Sequence, residues 1–287
     1  MNHYPSNGKE KLNSIILSMA EHHWLFSKNP GHDFTRQHLG KLSFYDTMRL
    51  IISMGKGSTN DEIMDYFDLD PDLIPSQSAF CQRRRQISLS AFEYLFSEFS
   101  SSFPSTTDKF KDHCILACDG CHVVYATNSD IIEDYNKPRL IDYKGYNHMH
   151  LNGFVDVISK AFLDVVIQPG QQPDEREALH SMLDHFTPDD PQKYIITADR
   201  GYESYDLLFH CELKNLGYVF RVKSPSSPKS ILSYYASELP DDLEEFDVTI
   251  KRFFTDKATN IMKSQSDVYR YINPSKNTPH FYELLRK

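Results

Sequence analysis

The chain has a single tryptophan and only 11 glycines in 287 residues, and no apolar run approaches the ~18–20 residues of a membrane span. The apolar stretch from Ile15 to Ala20 is too short and too late for a secretory leader. No membrane association is expected. Five cysteines are an odd number and too few for a disulfide scaffold, so a reducing cytoplasm is the expected compartment. Positive charge is also scarce. The 31 Lys and Arg face 40 Asp and Glu, a net of −9. That balance excludes a uniformly basic nucleic-acid coat, because phosphate binding needs clustered cations. It leaves room for a basic patch on an acidic body. Internal repeats and low-complexity tracts are absent as well.

What is present has a globular composition, 40% apolar and 25% charged. The length suits one large domain or two ordinary ones with a sizeable core. The first third reads as helical. Leu42, Tyr45, Met48, Leu50, Ile51 and Ile52 recur at roughly helical spacing after Ser43, a candidate N-cap. Thr59 to Phe67 fits a second helix, capped by Thr59 with Glu62 three residues on. Pro71 and Pro75 break the chain, and Ala79–Gln86 and Ser90–Phe99 give two more helical patterns. Ser100 to Asp108, rich in Ser, Thr and Pro, reads as a linker.

Beyond the linker the period changes. Cys114–Asp119 is a short apolar run ending in an acid. His150–Ser159 and Phe162–Gln168 form a hairpin pattern around Ser159-Lys160-Ala161. Asp174–Phe186 is an amphipathic helix, Tyr194–Thr197 a strand that stops at Asp199, and Tyr205–Leu216 a helix closed by Gly217. Tyr218–Val222 is one more strand. Three strands followed by alternating helices and strands predict an α/β fold with a mixed sheet covered on both faces. After Ser224 the signal weakens. Phe246–Phe254 and Val268–Ile272 alternate like strands. The predicted parts are 1–107, helical; 108–223, the core; and 224–287, β-rich.

The sharpest local feature is Ala117-Cys118-Asp119-Gly120, repeated in kind by Ala198-Asp199-Arg200-Gly201-Tyr202. A carboxylate after an apolar strand sits at the rim of a sheet. Two on neighbouring strands can hold one or two divalent ions, and oxygen ligands favour Mg²⁺ or Mn²⁺ over zinc. Such a site serves phosphoryl transfer. On spacing alone the plainer reading, that both aspartates merely begin turns, is the stronger one.

The Asp-Arg-Gly-Tyr block, with Asp119-Gly120 upstream, resembles insertion-sequence transposases of the IS-four type. Tyr143-Lys144-Gly145-Tyr146-Asn147 to His150-Leu151-Asn152 resembles their second strand and its approach. Leu42-Ser43-Phe44 to Phe92-Glu93-Tyr94-Leu95-Phe96 resembles their N-terminal region. The likeness spans roughly residues 40–223. It implies a DNA-binding helical region at 1–107, a ribonuclease-H-like core with an Asp-Asp-Glu triad, in which Asp119 and Asp199 are the first two catalytic, metal-binding acids for Mg²⁺ or Mn²⁺, and a β-rich insertion at 224–287. The implied partners are double-stranded DNA (transposon ends and target) and a second copy of the chain. Arg200 would lie near a phosphate.

Two departures from that pattern stand out. Cys121 occupies a place where the family has Ser or Thr. More seriously, the third acid lies in a motif Tyr-x2-Arg-x3-Glu-x6-Lys, and no tyrosine here begins it. Tyr218 has Arg221 at the right offset, but Pro225 stands where the glutamate should be. Glu238, Glu244, Glu245 and Glu283 follow the core without the motif, Glu283 being the least poor substitute. The third acid is therefore unknown. The expectation is a transposase truncated before its glutamate helix, weak or inactive in cleavage, or else a non-catalytic DNA-binding remnant.

Other constellations compete. Cys114, Cys118 and Cys121 have the C-x3-C-x2-C spacing of radical S-adenosylmethionine enzymes, but strand alternation cannot present all three thiolates to one cluster. His113, His122, His148 and His150 suggest zinc, without any known ligand spacing. Solvated or phosphate-facing histidines fit better. Arg83, Arg84 and Arg85 are adjacent on one helix and cannot all face a core, so they are candidate DNA contacts. Lys137 and Arg139 precede the second strand and can reach a phosphate. Residues 221–287 hold 11 basic against 9 acidic side chains, +2, whereas residues 1–220 hold 20 against 31, −11. The one positive part is thus the segment after the core.

Overall fold

Leu12, Ile15, Ile16 and Met19 recur at i, i+3, i+4 and i+7, and they form the inner face of the first helix in the computed structural model of the chain. The structure describes residues 8–35, 42–102, 109–137, 144–240, 245, 247–255, 259–265 and 267–271. It divides into two compact units, Met1–Pro104 and Ser105–Lys287.

The first unit is helical: α1 (Gly8–Glu21), α2 (Phe44–Ser53), α3 (Thr59–Tyr66), α4 (Gln77–Gln86) and α5 (Leu89–Ser101). One core joins α1, α2 and α5 through Ile16, Met19, Met48, Ala91 and Leu95. A second joins α2, α3 and α4 through Leu50, Ile63 and Phe80. Ser43 caps α2 in a capping box with Asp46, as its position predicts. The expected cap of α3 is off by one. Ser58 is the N-cap, boxed with Asp61, and Thr59 begins the helix. Glu62 instead accepts a hydrogen bond from the Gly57 amide at 2.7 Å.

The second unit is built on a mixed sheet: β1 (Cys114–Tyr125), β2 (Tyr135–Asn136), β3 (Tyr146–Asp156), β4 (Phe162–Pro169), β5 (Tyr194–Ala198) and β6 (Gly217–Phe220). Its order is β2-β3-β1-β5-β6, with β4 also on β3. The pairs β1–β3 and β3–β4 are antiparallel, and β1–β5 and β5–β6 are parallel. An antiparallel meander extended by parallel crossovers is the ribonuclease-H-like arrangement. The crossovers are α6 (Glu175–His185) and α7 (Tyr205–Leu213).

Both crossover helices pack on one face of this sheet. Leu116 and Cys118, Phe154, and Ile196 and Ala198 meet Leu179, Met182, Leu207 and Cys211 there. The helices are also tied to each other by a buried polar chain. Asp206 holds His180 at 2.6 Å, the two Nδ1 atoms of His180 and His210 lie 2.8 Å apart, and His210 reaches Asp184 at 3.1 Å. Coverage on both faces was expected. Instead the opposite face leaves Val123, Ile167 and Val219 exposed. Both crossovers pass on the same side because the chirality of a parallel strand–helix–strand unit fixes it.

Three boundaries differ from the sequence reading. β1 runs on through Asp119 to Tyr125, since every residue from Leu116 to Tyr125 finds a partner on β3. α7 ends at Leu213, and Asn215, at φ 55°, makes the left-handed turn assigned to Gly217, which opens β6 instead. After the core the described residues hold only a parallel pair of three-residue strands, β7 (Phe253–Thr255) and β8 (Tyr269–Tyr271), with α8 (Asn260–Ser264) between them. Phe246 and Ile272, the outer ends of the two expected strands, lie outside the described residues.

Candidate active site

The parallel register of β1 and β5 ends with Cys118 opposite Ala198. Asp119 continues β1 and Asp199 follows the last residue of β5, so each comes one residue beyond the same final rung of the ladder. Cys118 and Ala198 point into the core under α6 and α7. Alternation therefore sends Asp119 away from that core, and both aspartates are exposed. The pairing that the sequence motifs imply is thus present in the sheet. One carboxylate is fixed within a strand. The other stands in a turn closed by the Tyr202 amide on the Asp199 carbonyl at 3.0 Å.

Two cations flank Asp199. Arg221, which follows β6, lies 3.6 Å from its carboxylate, with both side chains largely exposed. Arg200 is exposed, and its carbonyl accepts from Lys223 at 2.7 Å. Lys223 also pairs at 2.9 Å with the buried carboxylate of Glu203. That pair stiffens the turn from Arg200 to Glu203 on which Asp199 depends.

Reading the sequence alone missed the residues behind the aspartates. Buried Asn152 on β3 donates to Gln168 on β4 at 3.2 Å, and Gln168 in turn binds both the amide and the carbonyl of Asp174, at 3.1 and 2.9 Å. Asp174 caps α6 by accepting from the amides of Arg176 and Glu177. This chain of amides sets where α6 begins and delivers Glu175 beside the sheet. Oε1 of Glu175 is 3.5 Å from Nε2 of His150, a buried β3 residue. The signal available in the sequence was the Asp-Glu pair at a helix start.

Gly120 has a physical reason. A Cβ there would lie 2.4 Å from Nε2 of His150 and 3.0 Å from Oδ1 of Asn152. Gly201 would place a Cβ 2.9 Å from Oε2 of Glu175. The glycines after the two aspartates thus leave room for the same group of side chains. Burial pushes the Cys118 thiol up to about 12, and the charges of Asp119 and Glu175 act in the same direction. Burial also raises the Tyr202 hydroxyl well above its ordinary value, with Cys118, Glu175 and Asp119 contributing after it.

The remaining candidates scatter. Arg83 turns inward, over the Phe34 ring at 5.2 Å and bonded to Gln86, whereas Arg84 and Arg85 are exposed. Lys137 is exposed after β2, and Arg139 lies outside the described residues. Glu238 is paired with Arg252, Glu245 is exposed, and Glu244 and Glu283 lie outside the described residues. Cys114 and Cys118 are buried on one face of β1 while Cys121 is exposed on the other, so the three thiols do not converge. His122, His148 and His150 cluster ring to ring at 4.7 and 4.8 Å, and His113 lies at the opposite end of β1. Among the described residues no three His, Cys, Asp or Glu are gathered as a metal-holding group. The carboxylate pair nonetheless fits a hard divalent cation by its chemistry: two accessible oxygen donors, one in β1 and one just past the end of β5. A cavity of about 1250 Å³, lined by Tyr205, Lys223, Tyr235, Arg252 and Phe254, lies apart from the aspartates.

The sheet order is that of a ribonuclease-H-like core. A family model described as Transposase DDE domain matches residues 110–282, more than half of the chain, and the chain belongs to that family. No curated protein matches the chain. Among the described residues no helix is long and apolar enough to cross a membrane.

Proposed function

We propose that the chain is a DNA transposase of the Asp-Asp-Glu class, resembling the IS-four type, which cuts and joins DNA at the ends of its own element. The observation that carries this reading is the β1–β5 register, which makes Asp119 and Asp199 neighbours. In this reading the two carboxylates hold Mg²⁺ or Mn²⁺. The bound ion supplies Lewis-acid activation of the attacking oxygen and neutralises phosphate charge. Asp119, fixed by the ladder, sets the position of the attack. Arg221 and Arg200 offer the scissile phosphate two cationic neighbours. Arg84, Arg85, Lys137 and Arg139 carry the DNA contacts away from the chemistry, and two copies of the chain bring two ends together.

The test is nicking of a duplex carrying the element's terminal repeat, with Mg²⁺ or Mn²⁺. Cleavage is expected to fall at least about a hundredfold in Asp119→Asn and Asp199→Asn, the order of loss for an electrostatic stabiliser. Cleavage that survives both changes overturns the assignment. A second reading, a non-catalytic DNA-binding remnant, is favoured by the lack of a three-acid group among the described residues. It predicts a gel shift indifferent to chelator and no nicking under any metal.

A further inference from the structure

The two crossover helices are joined by four polar side chains that the aspartate pair does not use. Asp206, in the first turn of α7, meets Nε2 of His180 on α6 at 2.6 Å. Nδ1 of His180 meets Nδ1 of His210 on α7 at 2.8 Å, and Nε2 of His210 meets Asp184 on α6 at 3.1 Å. Each of the three contacts crosses from one helix to the other. His180, Asp206 and His210 are buried, whereas Asp184 reaches solvent. We propose that these four residues form a proton-dependent clasp between α6 and α7, closed while the two rings together carry three protons and parted at one contact when the third leaves. The clasp is independent of the reading of Asp119 and Asp199 as metal-binding residues.

The count follows from the distances. Two nitrogen lone pairs cannot rest 2.8 Å apart, so one proton lies between the Nδ1 atoms. The rings meet edge to edge, since their planes differ by 23° and their centroids are 5.0 Å apart, well beyond the gap between the nitrogens. An ionised carboxylate only accepts, so each Nε2 donates to its aspartate. Three contacts need three ring protons, and two neutral imidazoles have only two. The third makes the pair one shared cation between two carboxylates, and it goes to the rings because imidazole is the stronger base. With four ring protons the Nδ1 atoms turn two hydrogens on each other. With two, one contact joins two acceptors. The closed clasp exists at three alone.

The neighbouring groups are engaged elsewhere or uncharged. On α7 and β1, burial raises the Cys211 and Cys118 thiols to about 12, and it holds the Tyr202 hydroxyl well above its ordinary value. Glu212 accepts from the Tyr218 hydroxyl of β6 at 3.0 Å, and Lys214 donates to the carbonyls of Asp184 and Phe186. Asp164 of β4 pairs with His185, and Asp156 of β3 accepts from the Ile158 and Ser159 amides. At the start of α6, Glu175 faces His150 of β3, and Arg176 and Glu177 are exposed. Both helices also border the turn at Asp199. Tyr202, whose amide closes that turn, is buried in one cluster with Leu179 of α6 and Leu207 of α7.

The experiment counts the protons in the full chain, by nitrogen-15 magnetic resonance of histidine-labelled protein at pH 7.5. Three of the four ring nitrogens of His180 and His210 are expected to carry protons, with a coupling across the two Nδ1 atoms. Two ring protons overturn the proposal. The second arm is urea unfolding at pH 7.5 and 8.5, read by pulsed hydrogen exchange of β5 peptides at one pulse pH. Above the ordinary histidine value of about 6.5 the unfolded chain has released the proton that the folded clasp keeps, so stability falls as pH rises until the clasp parts. The folding constant is expected to drop about tenfold more across that pH unit in wild type, and in the exposed control His185→Gln, than in His210→Gln. All three keep the two buried thiols, so the difference belongs to the clasp. Equal drops in wild type and His210→Gln overturn the proposal. Should His210→Gln fail to fold, the proton count in wild type decides alone.

Discussion

Cys118 and Cys121 are three residues apart and opposite in character. The first is buried under α6 with its thiol raised to about 12, and the second is exposed. A thiolate-directed reagent at pH 8 is therefore expected to label Cys121 while leaving Cys114, Cys118 and Cys211 unmodified until the chain unfolds, as read by peptide mass spectrometry. Equal labelling of Cys118 would contradict the burial. The sign of the pH effect follows. Between the ordinary thiol value of 9.0 and about 12 the folded chain keeps protons on Cys118 and Cys211 that the unfolded chain releases, so stability falls as pH climbs through that window. At this scale the sequence showed the candidate aspartates better than their support. Asp119 and Asp199 were legible because an acid after an apolar run is a local pattern. Glu175 and Gln168 were not, because each matters through partners on other elements, Glu175 through His150 and Gln168 through Asn152 and Asp174.

The elements were legible where local rules decide them. Ser43 caps α2 and Asp174 caps α6, and the hairpin of β3 and β4 turns where Lys160, at φ 63°, permits it. They were misjudged where a neighbour decides. β1 looked finished at Asp119, yet β3 pairs with it six residues further. α4 shows the same contrast in one turn of helix. Its arginines are alike in sequence, but Arg83 is half-buried over Phe34, while Arg84, over the Phe80 ring at 5.8 Å, and Arg85 are exposed. Replacing Arg84 and Arg85 together with Ala is expected to weaken DNA binding and to flatten the dependence of log affinity on log salt by about two, one per lost phosphate contact. Arg83→Ala should instead lower the melting temperature, losing a cation–π contact of about 0.5–1 kcal/mol, and leave the salt slope unchanged. Gel shifts at several salt concentrations separate the two outcomes.

On the scale of the whole molecule, the units Met1–Pro104 and Ser105–Lys287 have separate buried clusters. Two cores that share no residues melt as two events, so calorimetry is expected to show two transitions. Mn²⁺ should raise only the one belonging to the sheet, by about 2.7 kcal/mol at a hundredfold excess over its Kd. A shift of the helical transition would place the ion elsewhere. The net charge of −9 also reads differently by region. The acids include Asp119 and Asp199 themselves, while the surplus of basic residues lies after residue 220.

The two aspartates differ in stiffness. Asp119 lies inside a ladder paired from Leu116 to Tyr125, and Asp199 lies one residue past the last rung that joins β1 to β5. One jaw of this vice is welded to its frame and the other is hinged. Any adjustment between the two carboxylates therefore falls to the turn at Asp199. Substitutions that loosen that turn should disturb the fit of what is held there before they disturb the sheet.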